Sequence, residues 1–287
     1  MRRLQPFLSL FLAFLAPLVL AQEPQQVAFA SLDGTALNAW LFQPAGLSKT
    51  KRGTVVALHG CGGLYATAGA RKGLLNARHL AMANMLVAEG YNVVFPDSLQ
   101  PRGESSICVQ PIGSRHITQR ERRSDALAAL AWVGLQPWAD TARIAVLGWS
   151  HGGSAVLSVT DSNHPLVKKQ LLSNSLRFKT AIAFYPGCKD ALEGSYMPNT
   201  PLTLLLGADD DWTPPLPCVA LAKQFQMEAT MYDNAVHGFD NPVGSVVERK
   251  EIPSRLHPGR GAMSGPNPVA RDMANARVRE ILKLALN

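Results

Sequence analysis

The chain has 287 residues, 47% of them hydrophobic and 17% charged, a balance that excludes a disordered chain, a collagen-like repeat and a coiled coil. Lys and Arg number 28 against 21 Asp and Glu, for a formal charge of +7. The basic residues are scattered and aromatics make up only 7%, so they do not form the basic, aromatic-studded stripe of a nucleic-acid binder, and no nucleic-acid partner is expected.

In chain order, Met1-Arg2-Arg3 comes first, then an apolar run at residues 7–20 (FLSLFLAFLAPLVL) that leads into Ala21 and the polar Gln22-Glu23-Pro24-Gln25. A positive start, a short apolar stretch and small residues at Val19 and Ala21 describe an export signal cleaved after Ala21. The run is interrupted by Pro17 and falls short of the roughly 20 residues that span a bilayer, so no stable membrane anchor is expected after cleavage. The expected organisation is a signal peptide over residues 1–21 and a single domain over residues 22–287, exported to the periplasm or the medium. Loss of Arg2 and Arg3 takes the net charge from +7 to +5. An oxidising compartment permits Cys61, Cys108, Cys188 and Cys218 to be bridged.

Residues 27–30 and 37–42 read as two strands around Asp33-Gly34, because Asp-Gly between apolar runs marks a hairpin. Five short, predominantly apolar runs follow at residues 54–58 (TVVAL), 91–95 (YNVVF), 144–147 (IAVL), 180–184 (TAIAF) and 202–206 (LTLLL). Such runs suit strands buried on both faces of a parallel sheet. Helices are predicted over 77–89, 120–133, 152–160 and 215–227. In the second, Ala126, Ala129, Leu130 and Val133 form a buried face, and Glu121, Arg122, Arg123 and Asp125 a wet one. Alternating strand and helix imply an α/β fold, a doubly wound and mostly parallel sheet with helices on both faces and right-handed crossovers. Residues 243–268, rich in Gly, Pro and Arg, read as a long surface loop, either a lid or disordered, before a last helix over 269–286.

The IAVL strand runs directly into Gly148-Trp149-Ser150-His151-Gly152-Gly153, and a helix follows. G-x-S-x-G between strand and helix sets its serine on a turn too sharp for side chains at the glycine positions, with the hydroxyl exposed at the helix N-terminus. That hydroxyl is a poor nucleophile until a base takes its proton, so a histidine and an orienting acid are required downstream. His237, in a loop after the strand-like residues 229–232, is the candidate base. Asp210 is the candidate acid: it stands in Gly207-Ala208-Asp209-Asp210-Asp211-Trp212-Thr213-Pro214, three residues after the glycine and four before the proline, and completes a Ser, Asp, His order. The oxyanion formed on attack needs two backbone N–H donors. His151, next to Ser150, supplies one, and Cys61 in His59-Gly60-Cys61-Gly62-Gly63 supplies the other through its amide.

Three adjacent aspartates also raise a metal site. No further carboxylate cluster or histidine pair at ligand spacing accompanies them, so neither a metal nor another cofactor is expected. Trp149, Trp212 and Phe239 flank these residues as candidate walls of a substrate pocket, and Arg102 is a candidate contact for a substrate carboxylate or for Glu104.

His59 to Gly63, Gly148 to Gly153, Asp210 to Pro214 and His237-Gly238-Phe239 together resemble the dienelactone hydrolase family of α/β-hydrolases. Phe95-Pro96-Asp97-Ser98-Leu99-Gln100-Pro101-Arg102-Gly103 and Arg123-Ser124-Asp125-Ala126 resemble that family's exported branch. The resemblance spans about residues 50–285 and implies the α/β-hydrolase fold, with hydrolysis of an ester or lactone through a covalent acyl-enzyme. It departs from the founding members at the elbow, where they carry cysteine and this chain carries Ser150, so the reaction class carries over and dienelactone as substrate does not. Neighbouring strand ends of such a fold bring loops together. Of three possible cysteine pairings, Cys61–Cys108 with Cys188–Cys218 is therefore expected, and four buried thiols are the alternative. The expected function is a serine hydrolase acting on a small-molecule ester or lactone. Acyl transfer by the same residues and a non-catalytic binding protein that retains the fold are the alternatives; the complete set of Ser150, Asp210, His237 and glycines argues against the last.

Overall fold

The computed structural model describes residues 22–46, 50–111, 113–173, 176–253 and 261–287; the expected signal peptide lies outside them. Its elements are β1 (Gln25–Ala30), β2 (Ala36–Phe42), β3 (Arg52–Leu58), α1 (Ala77–Ala88), β4 (Asn92–Pro96), α2 (Gln119–Gly134), β5 (Ala139–Trp149), α3 (His151–Val159), α4 (Pro165–Ser173), β6 (Thr180–Phe184), α5 (Lys189–Glu193), β7 (Leu202–Gly207), α6 (Leu216–Phe225), β8 (Glu228–Tyr232), β9 (Val247–Arg249), β10 (Ala262–Ser264) and α7 (Pro268–Leu286). Eight strands form one sheet in the order β1-β2-β4-β3-β5-β6-β7-β8. β2 is antiparallel to β1 and β4, and the remaining pairings are parallel.

The continuous apolar runs are the central strands, because both of their faces are covered. Alternate residues of a strand point to opposite faces, and β3 divides accordingly. Val56 and Leu58 pack with Val146, Ala183 and Leu204 under α2, α3 and α6. Val55 and Ala57 pack with Leu147, Ile182 and Leu205 under α1 and α7. At the carboxyl ends of these strands lie the loops that carry Cys61, Ser150, Asp210 and His237.

Two expectations are corrected. Arg122 and Asp125 do not lie on a wet face of α2; both are fully buried. Arg122 Nη2 donates to the His59 carbonyl at 2.6 Å, while Asp125 accepts from Arg102 at 2.8 and 2.9 Å and from Ser31 at 2.6 Å. Periodicity assigns charges to solvent unless a partner is visible, and these partners are far away in the chain. Nor is the whole of 243–268 a loop. β9 and β10 pair as an antiparallel ribbon, Ile252 and Ala262 are buried, and Ser264 bridges to His237; residues 254–260 lie outside the described residues. Among the described residues no helix is long and apolar enough to cross a membrane.

Candidate active site

Ser150 joins β5 to α3 with φ 53° and ψ −116°, a left-handed conformation that costs a non-glycine residue about 1–3 kcal/mol. The turn closes so tightly that a Cβ on Gly148 would lie 2.3 Å from the Gly152 carbonyl oxygen, and one on Gly152 would lie 2.0 Å from that of Leu58. Only hydrogen fits at either place. The Ser150 N–H donates to the Phe184 carbonyl at 2.9 Å, which fixes the elbow to β6, and the Ser150 carbonyl accepts from Ser154 N–H as α3 begins.

The loops after β7 and β8 bring two further groups to this hydroxyl. His237 Nε2 lies 2.9 Å from Ser150 Oγ, and His237 Nδ1 lies 2.8 Å from Asp210 Oδ2. Asp210 Oδ1 accepts the Trp212 and Thr213 N–H groups at 3.0 and 2.8 Å, and Oδ2 lies within hydrogen-bond distance of both the imidazole and the Thr213 hydroxyl, the latter at 3.0 Å. The adjacent carboxylates diverge: Asp209 is exposed, and Asp211 accepts the Met263 N–H at 2.8 Å. Among the described residues no group of three His, Cys, Asp or Glu is placed to hold a metal ion. The His237 ring sits between Tyr185 and Trp212, with centroids 4.6 and 4.5 Å away.

The loop after β3 leans on the elbow: a Cβ on Gly60 would be 3.3 Å from the Trp149 carbonyl oxygen and 3.6 Å from Ser150 Cβ. Neither the Cys61 nor the His151 amide N–H has an acceptor among the described residues. The Cys61 carbonyl accepts Ile107 N–H, and the Arg122 guanidinium supports the preceding carbonyl of His59. His59 Nε2 accepts Ser98 N–H at 3.1 Å while Nδ1 faces the Gly60 carbonyl at 2.8 Å, the pattern of a neutral ring protonated on Nδ1. Burial and the nearby Arg122 charge push its pKa well below that of a free histidine. The same two causes act on His151. Disulfides join Cys61 to Cys108 and Cys188 to Cys218, tying the Cys61 loop to the one after β4 and the loop after β6 to α6.

The sequence model of the dienelactone hydrolase family matches residues 68–285. The chain belongs to the dienelactone hydrolase family. Its structure is similar to a dienelactone hydrolase-like promiscuous phosphotriesterase from metagenomic libraries, with a TM-score of 0.65 and 18% identity over 93% of this chain and 99% of that one. It is also similar to a Pyrococcus horikoshii acylaminoacyl peptidase, with a TM-score of 0.55 and 17% identity over 92% of this chain and 42% of that one. A Porphyromonas gingivalis dipeptidyl peptidase 4 matches with a TM-score of 0.56 and 16% identity, over 92% and 35% of the respective chains. At these identities the likeness is one of fold. Comparison with curated proteins by sequence returns no match.

In this dienelactone hydrolase family member Ser150 opens onto a cavity of about 1020 Å³. Leu157, Tyr196, Leu216 and Trp212 give it apolar walls. The other three candidate pocket residues lie elsewhere. Trp149 is fully buried among His79, Phe95 and Phe184. Phe239 is fully buried against Phe184, Tyr185 and Tyr232. Arg102 pairs with Asp33 at 2.7 Å and Asp125 at 2.8 Å, fastening the β1–β2 turn to α2, and Glu104 instead accepts from Gln110.

One cavity residue that sequence reasoning missed is Arg115. Its guanidinium donates to the carbonyls of Gln110 at 3.2 Å and Cys108 at 3.3 Å. It has no carboxylate partner among the described residues, and burial alone lowers its pKa. A lone arginine in an irregular loop carries no sequence signal that would have singled it out.

Proposed function

We propose that the chain is a serine hydrolase that cleaves a carboxylic ester or lactone through an acyl-enzyme on Ser150. The observation that carries this reading is the relay from Ser150 Oγ to His237 Nε2 at 2.9 Å and from His237 Nδ1 to Asp210 at 2.8 Å, set on a strained elbow. His237 takes the hydroxyl proton on Nε2 as Ser150 Oγ attacks the carbonyl carbon. The amides of Cys61 and His151 receive the oxyanion. His237 then returns the proton to the departing alkoxide, and water, deprotonated by the same nitrogen, releases the acid and restores Ser150. Asp210 holds the imidazole tautomer and stabilises the imidazolium.

The cavity supports a substrate with an apolar part against Leu157, Tyr196 and Trp212. An arginine desolvated without a counter-ion is stabilised by any anion that enters, so Arg115 favours an ester that also bears a carboxylate. The reading takes residues 22–287 as one exported domain freed of residues 1–21; an intact N-terminus on the mature protein would contradict that part.

The test is turnover of a panel of short esters and lactones, neutral and carboxylate-bearing, by the wild type and Ser150→Ala. Wild type should hydrolyse members of the panel, with higher kcat/KM for the anionic ones, and label at Ser150 with a fluorophosphonate. Ser150→Ala should reduce turnover about a millionfold. Retained activity in that variant would sink the reading.

A further inference from the structure

Behind His237 lies a second buried group that the proposed hydrolysis leaves unused. Asp240, three residues after His237 and 5% exposed, accepts the Trp149 indole N–H at 2.7 Å and the Tyr185 hydroxyl at 2.5 Å. Its Oδ1 lies 3.3 Å from Arg78 Nε. Each partner belongs to a different part of the site. Trp149 immediately precedes Ser150. Tyr185 follows Phe184, whose carbonyl fixes Ser150 N–H; its own carbonyl oxygen lies 2.9 Å from Thr213 Oγ1 in the acid loop, and its ring is the one 4.6 Å from His237. Arg78 of α1 lies over the same ring, 5.8 Å from its centroid, and a Cβ on Gly238, next to His237, would be 2.9 Å from Arg78 Nη2. Tyr185 has φ 36°, a left-handed conformation that persists in a non-glycine residue where its surroundings over-determine it. Burial keeps the phenol protonated well above its ordinary range, so it remains a donor to Asp240.

We propose that Asp240 and Arg78, acting through Tyr185, are positioning residues that hold the His237 ring and balance the charge it gains during turnover. The inference rests on the Ser150 reading. As His237 becomes an imidazolium it faces Asp210, Trp212 and Thr213 from the β7 loop, with the Asp211 carboxylate turned to the Met263 N–H, Tyr185 from the β6 loop, the neutral His151 and Ser150 of the elbow, the neutral Ser264 of β10, and the Arg78–Asp240 pair beyond Tyr185. Because Arg78 and Asp240 offset each other, Asp210 dominates. Removing one member breaks that balance in a direction set by its sign. Asp240→Asn leaves the Arg78 cation, which disfavours the imidazolium. Arg78→Gln leaves the Asp240 anion, which favours it. A unit charge roughly 10 Å away moves a titration by about half a unit to one unit.

The experiment is the pH profile of kcat/KM on one ester for wild type, Asp240→Asn, Arg78→Gln and Tyr185→Phe, with Ser150→Ala alongside. Asp240→Asn should lower kcat about 10- to 100-fold with KM within threefold, and move the acid limb to lower pH. Arg78→Gln should move that limb to higher pH. Tyr185→Phe keeps both charges and should lower kcat with the limb unmoved. A role in folding alone would not produce limb shifts of opposite sign. Limbs that stay in place, or that move the same way in both charge variants, overturn the proposal; if Asp240→Asn fails to fold, the Arg78→Gln shift decides alone. Activity in Ser150→Ala would defeat the serine reading itself, whereas an inactive Ser150→Ala with unmoved limbs defeats only the role of Asp240 and Arg78.

Discussion

Asp209, Asp210 and Asp211 are consecutive and chemically alike, and their surroundings separate them. Asp210 has one oxygen held by two backbone N–H groups and the other against His237, while Asp211 anchors the Met263 amide of β10 and Asp209 faces solvent. Asp210→Asn keeps the shape but offers His237 Nδ1 an amide that can impose the wrong tautomer, and kcat should fall about 10⁴-fold. Asp211→Asn should change kcat by less than about threefold, since an amide oxygen still accepts Met263 N–H. Steady-state kinetics on the three single variants decides the matter; greater damage from Asp209→Asn or Asp211→Asn would reassign the acid. Ser150, Asp210 and His237 were open to sequence reading because each stands at a fixed spacing from a glycine or proline within a few positions. Asp240 was not, since its donors Trp149 and Tyr185 are 91 and 55 residues away and no local spacing links them.

At the scale of elements, the strands were legible because burial on both faces leaves a continuous apolar run, and α2 was legible in position but not in orientation. Its Arg122 and Asp125 point inward and meet the loops after β3 and β4, where burial lowers the Arg122 pKa to about 10 against the pull of Asp125 and Asp97. The β9–β10 ribbon was missed because three-residue strands in a Gly- and Pro-rich stretch carry no periodicity. The disulfides act between elements and differ in what they hold. Cys188–Cys218 closes a loop with a sequence separation of 30 and Cys61–Cys108 one of 47, so each contributes about 4 kcal/mol in the chain-entropy description. Paired alanine replacement at 188 and 218 should lower stability by about that amount in urea unfolding and spare most of kcat. The same change at 61 and 108 should cost similar stability and also reduce kcat about tenfold or more, because it frees the loop whose amide is proposed to receive the oxyanion. Equal kcat in the two double variants would remove the Cys61 amide from the mechanism.

For the molecule as a whole, the α/β alternation made the sheet readable before its strand order was known, but the distribution of charge inside it was not readable at all. His59 is fully buried and His79 is 2% exposed. Burial and Arg122 drive the His59 pKa well below its ordinary value, and burial and Arg78 bring that of His79 to about 3. Both rings are neutral in the fold, yet both titrate near 6.5 once the chain unfolds. The unfolded state therefore binds more protons than the native one below that pH, and stability rises with pH there. The contribution of the two rings is fully present above about pH 6.5 and is lost as pH falls toward the folded values. Between pH 7.5 and 5.5 each of these two rings withdraws about 1.4 kcal/mol, and His151, whose pKa burial and Arg122 also lower, adds a comparable share, so the unfolding free energy should drop by roughly 4 kcal/mol, while it stays level from pH 7.5 to 8.5. Asp97, whose pKa burial raises, has the opposite sign: its contribution falls as pH rises from the ordinary aspartate range toward the raised folded value, which offsets part of the histidine effect. His79→Gln retains a donor for the Leu64 carbonyl that Nδ1 now serves at 3.1 Å, and it should remove about a third of the drop. Urea titrations of the two proteins at pH 5.5 and 7.5 measure the difference, and an equal loss of stability in both would show that the proton uptake comes from groups other than this buried histidine.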